Sequence, residues 1–199
     1  MFVIALATGF TRATNSGAAM VSEESSERMS TLSSMAKQPH QKTCERRRPV
    51  LARGVVGRRL ATWHWQDELE LVRTKTRFVE RTAIGCAYLE YVRHTWAERA
   101  DRHWRLYAKL TRDVTAAVCF VFKRYCSQAL AVVRCESGGS TRAHNGQYLG
   151  LFQMGSGERA RYGHGDTPLE QARAAYRYFV ASGRDWSPWQ CRPWGGLAW

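Results

Sequence analysis

One glutamate, Glu136, stands where a carboxylate is chemically unusual. It ends the apolar segment ALAVVRCE, in which Ala129, Val132 and Val133 precede it by seven, four and three residues. In a helix these positions share one face, the face that a core buries. Burial against apolar side chains raises the pKa of a carboxyl group, the condition for a general acid near neutral pH. The alternative is a glutamate at a helix end that points to water, as most glutamates do.

The chain after Glu136 is rich in neutral hydrogen-bonding and aromatic side chains. The segment AHNGQYLGLFQ carries Asn145, Tyr148 and Gln153, and Gly146 and Gly150 allow close backbone approach. Amides and flat aromatic rings suit sugar rings and acetamido groups, and they suit phosphate poorly. A polar turn alone explains the Asn-Gly pair, but it does not explain the apolar GLFQM that carries Gln153.

Five motifs together resemble a known family. RCESGG, NGQYLGLFQ and RYGHG precede a helix start with a capping box, TPLEQ, and the segment closes on DWSPWQC. This combination resembles the lysozyme-like domain of lytic transglycosylases and resuscitation-promoting factors, in its actinobacterial wall-hydrolase version. The resemblance covers roughly residues 113–192. A Glu-Ser pair at a helix end, with Gly-Leu-Phe-Gln about fifteen residues later, is more specific than either motif alone.

The resemblance implies roles for five residues. Glu136 matches the acid that protonates the glycosidic oxygen between N-acetylmuramic acid and N-acetylglucosamine. Ser137 matches the serine that supports the substrate or the acid. Gln153 matches a glutamine that lines the cleft, and Asn145 and Tyr148 fall in the loop that meets the sugars.

The six cysteines are Cys44, Cys86, Cys119, Cys126, Cys135 and Cys191. None forms a C-x-x-C pair or a zinc-finger spacing, so we expect neither a metal site nor a cofactor. An even count fits disulfides in an oxidising compartment and equally fits buried thiols. The resemblance implies a Cys135–Cys191 disulfide, and it leaves the pairing of the other four open.

The mechanism is inferred from the carboxylates that follow Glu136. A two-carboxylate glycosidase holds its carboxyl groups about 5 to 9 Å apart. The later acids occupy a helix cap, a Trp-rich turn or an Arg-rich stretch, and none is marked as a partner: Glu158, Asp166, Glu170 and Asp185. Single-acid chemistry of the lytic transglycosylase type is therefore favoured, narrowly, over hydrolysis with water.

The net charge of +13 is concentrated in the first part of the chain, above all in residues 37–59. Such a run is typical of a solvated linker, and it also suits an anionic wall polymer, anionic lipid or nucleic acid. A nucleic-acid binder would leave residues 129–155 unexplained, so the expected partner is the peptidoglycan glycan strand. No stretch approaches twenty apolar residues, which predicts no membrane span. The N-terminal MFVIALATGF is a poor signal peptide, and a secreted or wall-associated location is expected.

The predicted fold is mainly α, with a small lysozyme-like (transglycosylase) domain. We expect a disordered leader and basic linker over residues 1–59, an amphipathic helical extension over 60–112, and the lysozyme-like catalytic domain over 113–199.

The competing function is a non-catalytic module that binds wall glycan. It is supported by Gly157, which stands where the family is expected to carry a large aromatic residue at the cleft floor.

Overall fold

The computed structural model describes residues 19–76, 85–193 and 196–197, and over this part the chain is mainly helical. Six α-helices follow one another: α1 (Ala19–Glu68), α2 (Cys86–Leu110), α3 (Val114–Phe122), α4 (Cys126–Ser137), α5 (Ser156–Tyr162) and α6 (Pro168–Ala181). Two antiparallel strand pairs complete it, β1 (His144–Asn145) with β2 (Tyr148–Leu149), and β3 (Cys191–Arg192) with β4 (Gly196–Leu197). A mainly α fold is confirmed.

The first two helices pack side by side and run in the same direction. Their contacts advance together along both chains: Cys44 is bonded to Cys86, Arg47 pairs with Glu90, and the Thr62 hydroxyl donates to the Trp96 carbonyl. Between them lies a small apolar cluster of Leu51, Val55, Leu89, Val92 and Trp96. The predicted amphipathic extension, residues 60–112, thus comprises the last turns of α1 and the whole of α2.

The predicted leader differs from what the structure describes. Residues 1–18 lie outside the described part, but the chain is helical from Ala19, and α1 runs through the predicted boundary at residue 59 without a break. The Ser- and Arg-rich composition favoured a linker. From residue 51 onward α1 is stabilised because it packs against α2. The spacing of apolar residues within α1 alone does not show that a second helix covers it.

The second core belongs to the segment that resembles the wall hydrolases. Helices α3 and α4 pack with α6 around Phe122, whose ring lies 5.3 Å from that of Phe152 and 5.6 Å from that of Trp186. The buried face of α4 carries Ala129, Val132 and Val133, as predicted. The predicted capping box at Thr167 is also present, and it starts α6.

The span Val114–Ser137 is long and apolar enough to cross a membrane by length and composition, contrary to the expectation from the sequence. In the structure it is two helices, because Lys123 ends α3 with a φ of 50° and a short 3₁₀ turn follows. The apolar side chains on both helices, among them Val118 and Val132, pack in the core. An apolar composition of this kind is also what two core helices need, and here it allows α3 and α4 to be buried in the core.

The α1–α2 pair is attached to this core at one end. Leu69 and Leu110, at the ends of the two helices, pack with Ala117 and Leu169. The Arg173 guanidinium of α6 donates to the Glu68 carbonyl at 2.6 Å. The two parts therefore share a continuous apolar contact rather than a linker.

Substitution of two glycines by alanine is expected to change the stability of the protein in opposite directions. Gly150 has a φ of +78°, and an added Cβ would lie 2.5 Å from Gln171 Oε1 and 2.6 Å from His164 Cε1, so Gly150→Ala is expected to destabilise by about 2 kcal/mol. Gly157 lies within α5 with nothing within 4 Å of an added Cβ. Gly157→Ala should stabilise by about 0.5 kcal/mol. Urea unfolding of both variants tests this, and a shift of the same sign in both would contradict it.

Candidate functional site

A cleft of about 630 Å³ opens between the end of α4, the β1–β2 hairpin and the segment that leads into β3. All seven residues singled out from the sequence line it: Cys135, Glu136, Ser137, Asn145, Tyr148, Gln153 and Cys191. They come from positions up to 56 residues apart in the chain. We call this space the Glu136 cleft.

Glu136 lies half-buried at the inner wall of this cleft, one residue before the end of α4. Burial raises the pKa of its carboxyl group above the ordinary value, although the backbone N–H groups of Cys191 and Gln190 act in the opposite direction. The Cys191 N–H donates to Glu136 Oε1 at 2.8 Å. The carboxyl group is therefore held in place and stays protonated to a higher pH than that of an exposed glutamate.

No second carboxylate lines the Glu136 cleft among the described residues. Glu170 is engaged in the capping box of α6, where the Thr167 backbone N–H holds the pKa of its carboxyl low. Asp185 accepts from the Ser187 N–H in a turn, and Glu158 stands in the first turn of α5. Asp166 lines a different cavity, described below. The arrangement supplies one acid to the cleft.

The Ser137 hydroxyl is used by the protein itself. Its oxygen lies 2.9 Å from the Val133 carbonyl and 2.8 Å from the Leu151 carbonyl, and it accepts from the Gly139 N–H at 3.2 Å. These contacts join the end of α4 to the segment that carries the GLFQ motif. None of these contacts is to Glu136, so both roles that the resemblance implies for Ser137 stay predictions.

Gln153 has a similar bracing role. Its backbone adopts a φ of 43°, uncommon for a residue with a side chain, and its Nε2 donates to the Ala143 and Gly150 carbonyls at 3.1 and 3.0 Å. The side chain therefore holds the loop opposite Glu136 in shape while also lining the cleft. A residue with a side chain at positive φ, whose Nε2 is held by two carbonyl groups, is typical of a site that requires a fixed geometry.

Asn145 and Tyr148 form the rim of the Glu136 cleft. They face each other as paired residues of the β1–β2 hairpin, whose turn begins at Gly146 with a φ of +60°. Both side chains are exposed, and the Tyr148 ring is 44% exposed. An exposed amide and an exposed aromatic side chain are thus present at the edge of the cleft.

The structure contains the Cys135–Cys191 disulfide that the resemblance implied. It ties α4 to the segment whose N–H groups hold Glu136. The remaining cysteines form the Cys44–Cys86 and Cys119–Cys126 pairs, which the sequence left open. Three disulfides are typical of an extracellular or secreted protein.

The sequence did not reveal two contributors to the site. The N–H groups of Gln190 and Cys191 carry no side-chain signal, and only the nearby cysteine marked the segment. Gln171 is a buried amide on α6: its Oε1 accepts from the Leu151 N–H at 2.9 Å, and its Nε2 donates to the Thr141 and Gly165 carbonyls. In the sequence, the only sign of this role of Gln171 was that a polar residue stands among the apolar residues of α6.

Gly157 lies in α5, outside the residues that line the Glu136 cleft, and the space beside it is open. The absence of a side chain at Gly157 therefore leaves no gap in the floor of the Glu136 cleft, so the support that Gly157 gave to the binding-module alternative is removed.

Within the described residues no group of three or more His, Cys, Asp or Glu side chains is placed to hold a metal ion.

Comparisons with known proteins identify no relative: no family model, no curated protein and no solved structure matches the chain.

Proposed function

We propose that this protein cleaves the β-1,4 glycosidic bond between N-acetylmuramic acid and N-acetylglucosamine in peptidoglycan, with Glu136 as the single catalytic acid. The observation that carries the proposal is the half-buried Glu136 carboxyl, hydrogen-bonded by the Cys191 N–H in a cleft with no second carboxylate among its described lining. Three of the motifs that resemble lytic transglycosylases, RCESGG, NGQYLGLFQ and DWSPWQC, contribute residues to the lining of this cleft, which supports the same function.

The proposed reaction uses both protonation states of Glu136. The protonated carboxyl donates its proton to the bridging oxygen as the bond from the anomeric carbon breaks, and the leaving sugar departs with a hydroxyl group. The acetamido group of the muramic residue stabilises the positive charge at the anomeric carbon. Glu136, now a carboxylate, accepts the proton of the 6-hydroxyl as its oxygen attacks the anomeric carbon, which closes a 1,6-anhydro ring.

The surroundings of Glu136 suit both halves of this cycle. Burial favours the protonated form, which is needed at the start. The backbone N–H groups of Cys191 and Gln190 favour the carboxylate that exists after proton donation. A group that acts first as acid and then as base needs an environment that favours neither protonation state entirely, and these opposed effects supply one.

The mass of the released product tests this function. Digestion of purified peptidoglycan by the wild-type protein is expected to release muropeptides one water lighter than hydrolysed ones. Products with the mass of hydrolysed muropeptides would replace the transglycosylase reaction with a muramidase reaction, in which water attacks the anomeric carbon. An absence of soluble products, with the protein bound to the wall, would replace both with the glycan-binding module.

The binding-module alternative would use four tryptophans near the end of the chain, of which Trp194 and Trp199 lie outside the described residues and the other two are buried. Trp186 is 2% exposed, and its indole N–H donates to Gln128 Oε1 at 2.9 Å. Trp189 is 4% exposed and donates to the Phe152 carbonyl. Both are core residues rather than an exposed stacking platform for sugars. A role of residues 37–59 in holding anionic wall polymer is compatible with either function.

A further inference from the structure

A second cavity, of about 740 Å³, lies beside the Glu136 cleft. The loop that follows α4 separates the two spaces, and Ala143 lines both of them. The other walls are the end of α2 and the turn that leads into α6. A ligand that occupies the Glu136 cleft therefore has a larger space within reach, across a wall one loop thick.

The two spaces differ in charge. No lysine or arginine lines the Glu136 cleft among the described residues. The second cavity is lined by Arg112 and Arg142, both exposed and neither in an ion pair within the described part of the chain, against one acid, Asp166. Guanidinium groups bind carboxylates through two parallel hydrogen bonds. The second cavity thus offers the cationic groups that the cleft lacks.

The polar groups between the arginines are engaged or neutral. The Gln171 amide is fully used inside the fold, and Glu170 caps α6. Burial, together with the nearby Arg159, lowers the pKa of the His164 imidazole, which is therefore neutral near pH 7. Its Nδ1 is buried without a hydrogen-bond partner among the described residues. The two arginines are consequently the groups available to an incoming anion.

We propose that the second cavity binds the carboxylates of the peptidoglycan stem peptide while the glycan strand lies in the Glu136 cleft. This inference rests on the proposed function, because the peptide is attached to the muramic residue that Glu136 would act on. The glycan is uncharged and suits the neutral cleft, whereas the peptide carries free carboxylates that require cations. The protein would therefore act best on glycan whose muramic residues carry peptides.

The test uses the full-length wild-type chain, since a free stem peptide has no glycosidic bond that the protein could cleave. Binding of a free stem tetrapeptide is measured by NMR titration, beside the same peptide with its carboxylates amidated. Arg112→Gln and Arg142→Gln are compared with Arg102→Gln, an exposed arginine on α2 that does not line the cavity. All three variants lose one positive charge, so a general charge effect would appear in each.

We expect the tetrapeptide to bind, the amidated peptide to bind less well, and each cavity variant to weaken binding about three- to tenfold while Arg102→Gln leaves it unchanged. Absence of binding, equal weakening in all three variants, or equal binding of the amidated peptide would overturn the inference.

Cleavage by the wild-type protein is measured in parallel on intact peptidoglycan, whose muramic residues carry their stem peptides. Cleavage without peptide binding would refute the second cavity and leave the proposed function intact. Peptide binding without any cleavage would refute the proposed function and leave the second cavity as an anionic-peptide site.

Discussion

Glu136→Gln is expected to lower the release of soluble muropeptides from purified peptidoglycan at least about 100-fold, since a positioned general acid contributes a factor of that size or more. Glutamine keeps an oxygen that can accept from the Cys191 N–H, so the local structure should persist while the transferable proton is lost. Mass spectrometry of the soluble fraction measures the effect. Glu45→Gln, an exposed change of the same charge on α1, is the matched control and should retain full activity.

The raised pKa of Glu136 also predicts the dependence of activity on pH. The acid must be protonated at the start, so the rate should fall as the pH rises through this pKa, which lies above the ordinary value for glutamate. A rate that falls instead as the pH drops through the same range would show that Glu136 acts from its carboxylate form. Full activity of Glu136→Gln would exclude it as the acid altogether.

The same variant has a predictable effect on stability. Because the pKa of Glu136 is raised in the folded state, the folded protein binds more protons than the unfolded chain between the two pKa values. The contribution of Glu136 to stability is therefore fully present below the unfolded pKa and is lost as the pH rises through the folded pKa. Glu136→Gln removes this dependence, so its free energy of unfolding should exceed that of the wild type at neutral pH by more than at pH 4.

Replacement of Cys135 and Cys191 by serine is expected to have the second large effect. The disulfide closes a loop across a sequence separation of 56 residues, and its loss should destabilise the protein by roughly 4 kcal/mol, or about 10 °C in Tm. It should also release the segment whose N–H groups favour the Glu136 carboxylate. Thermal unfolding and the pH profile of activity, measured on the same double variant, separate the two consequences.

The Cys44–Cys86 disulfide provides a control of similar size. It spans a separation of 42 residues and joins α1 to α2, away from the Glu136 cleft. Its removal should destabilise the protein by a similar amount, roughly 4 kcal/mol. The pH profile should change only when the Cys135–Cys191 pair is removed. The same change in both double variants would mean that the profile reports general stability rather than the hold on Glu136.

Short-range patterns predicted the elements around the site well. The buried face of α4 followed from the spacing of Ala129, Val132 and Val133 before Glu136, and the start of α6 followed from the capping box at Thr167. Both signals act over one or two helical turns, and local sequence therefore contains them completely.

Long-range packing accounts for what the sequence did not reveal. The helical state of residues 51–59 depends on contacts with α2, and the break between α3 and α4 depends on Lys123 adopting a positive φ inside an apolar run. The direction of the Ser137 hydroxyl depends on Leu151, fourteen residues away. Such contacts have no periodic signature, because neither partner is unusual in its own segment.

By itself the sequence determined which groups are available: one acid on an apolar helical face, neutral amides and an aromatic ring after it, six cysteines, and a basic first half. Only the tertiary structure decided that the acid, the amides, the aromatic ring and one cysteine pair share one cleft, and that backbone N–H groups from the far end of the chain hold the acid. It also placed two arginines, without an ion pair in the described part of the chain, in a cavity next to that cleft. The reason is physical. Residue types and local spacing are encoded segment by segment, whereas the burial that raises the pKa of Glu136 exists only after distant segments have packed around it.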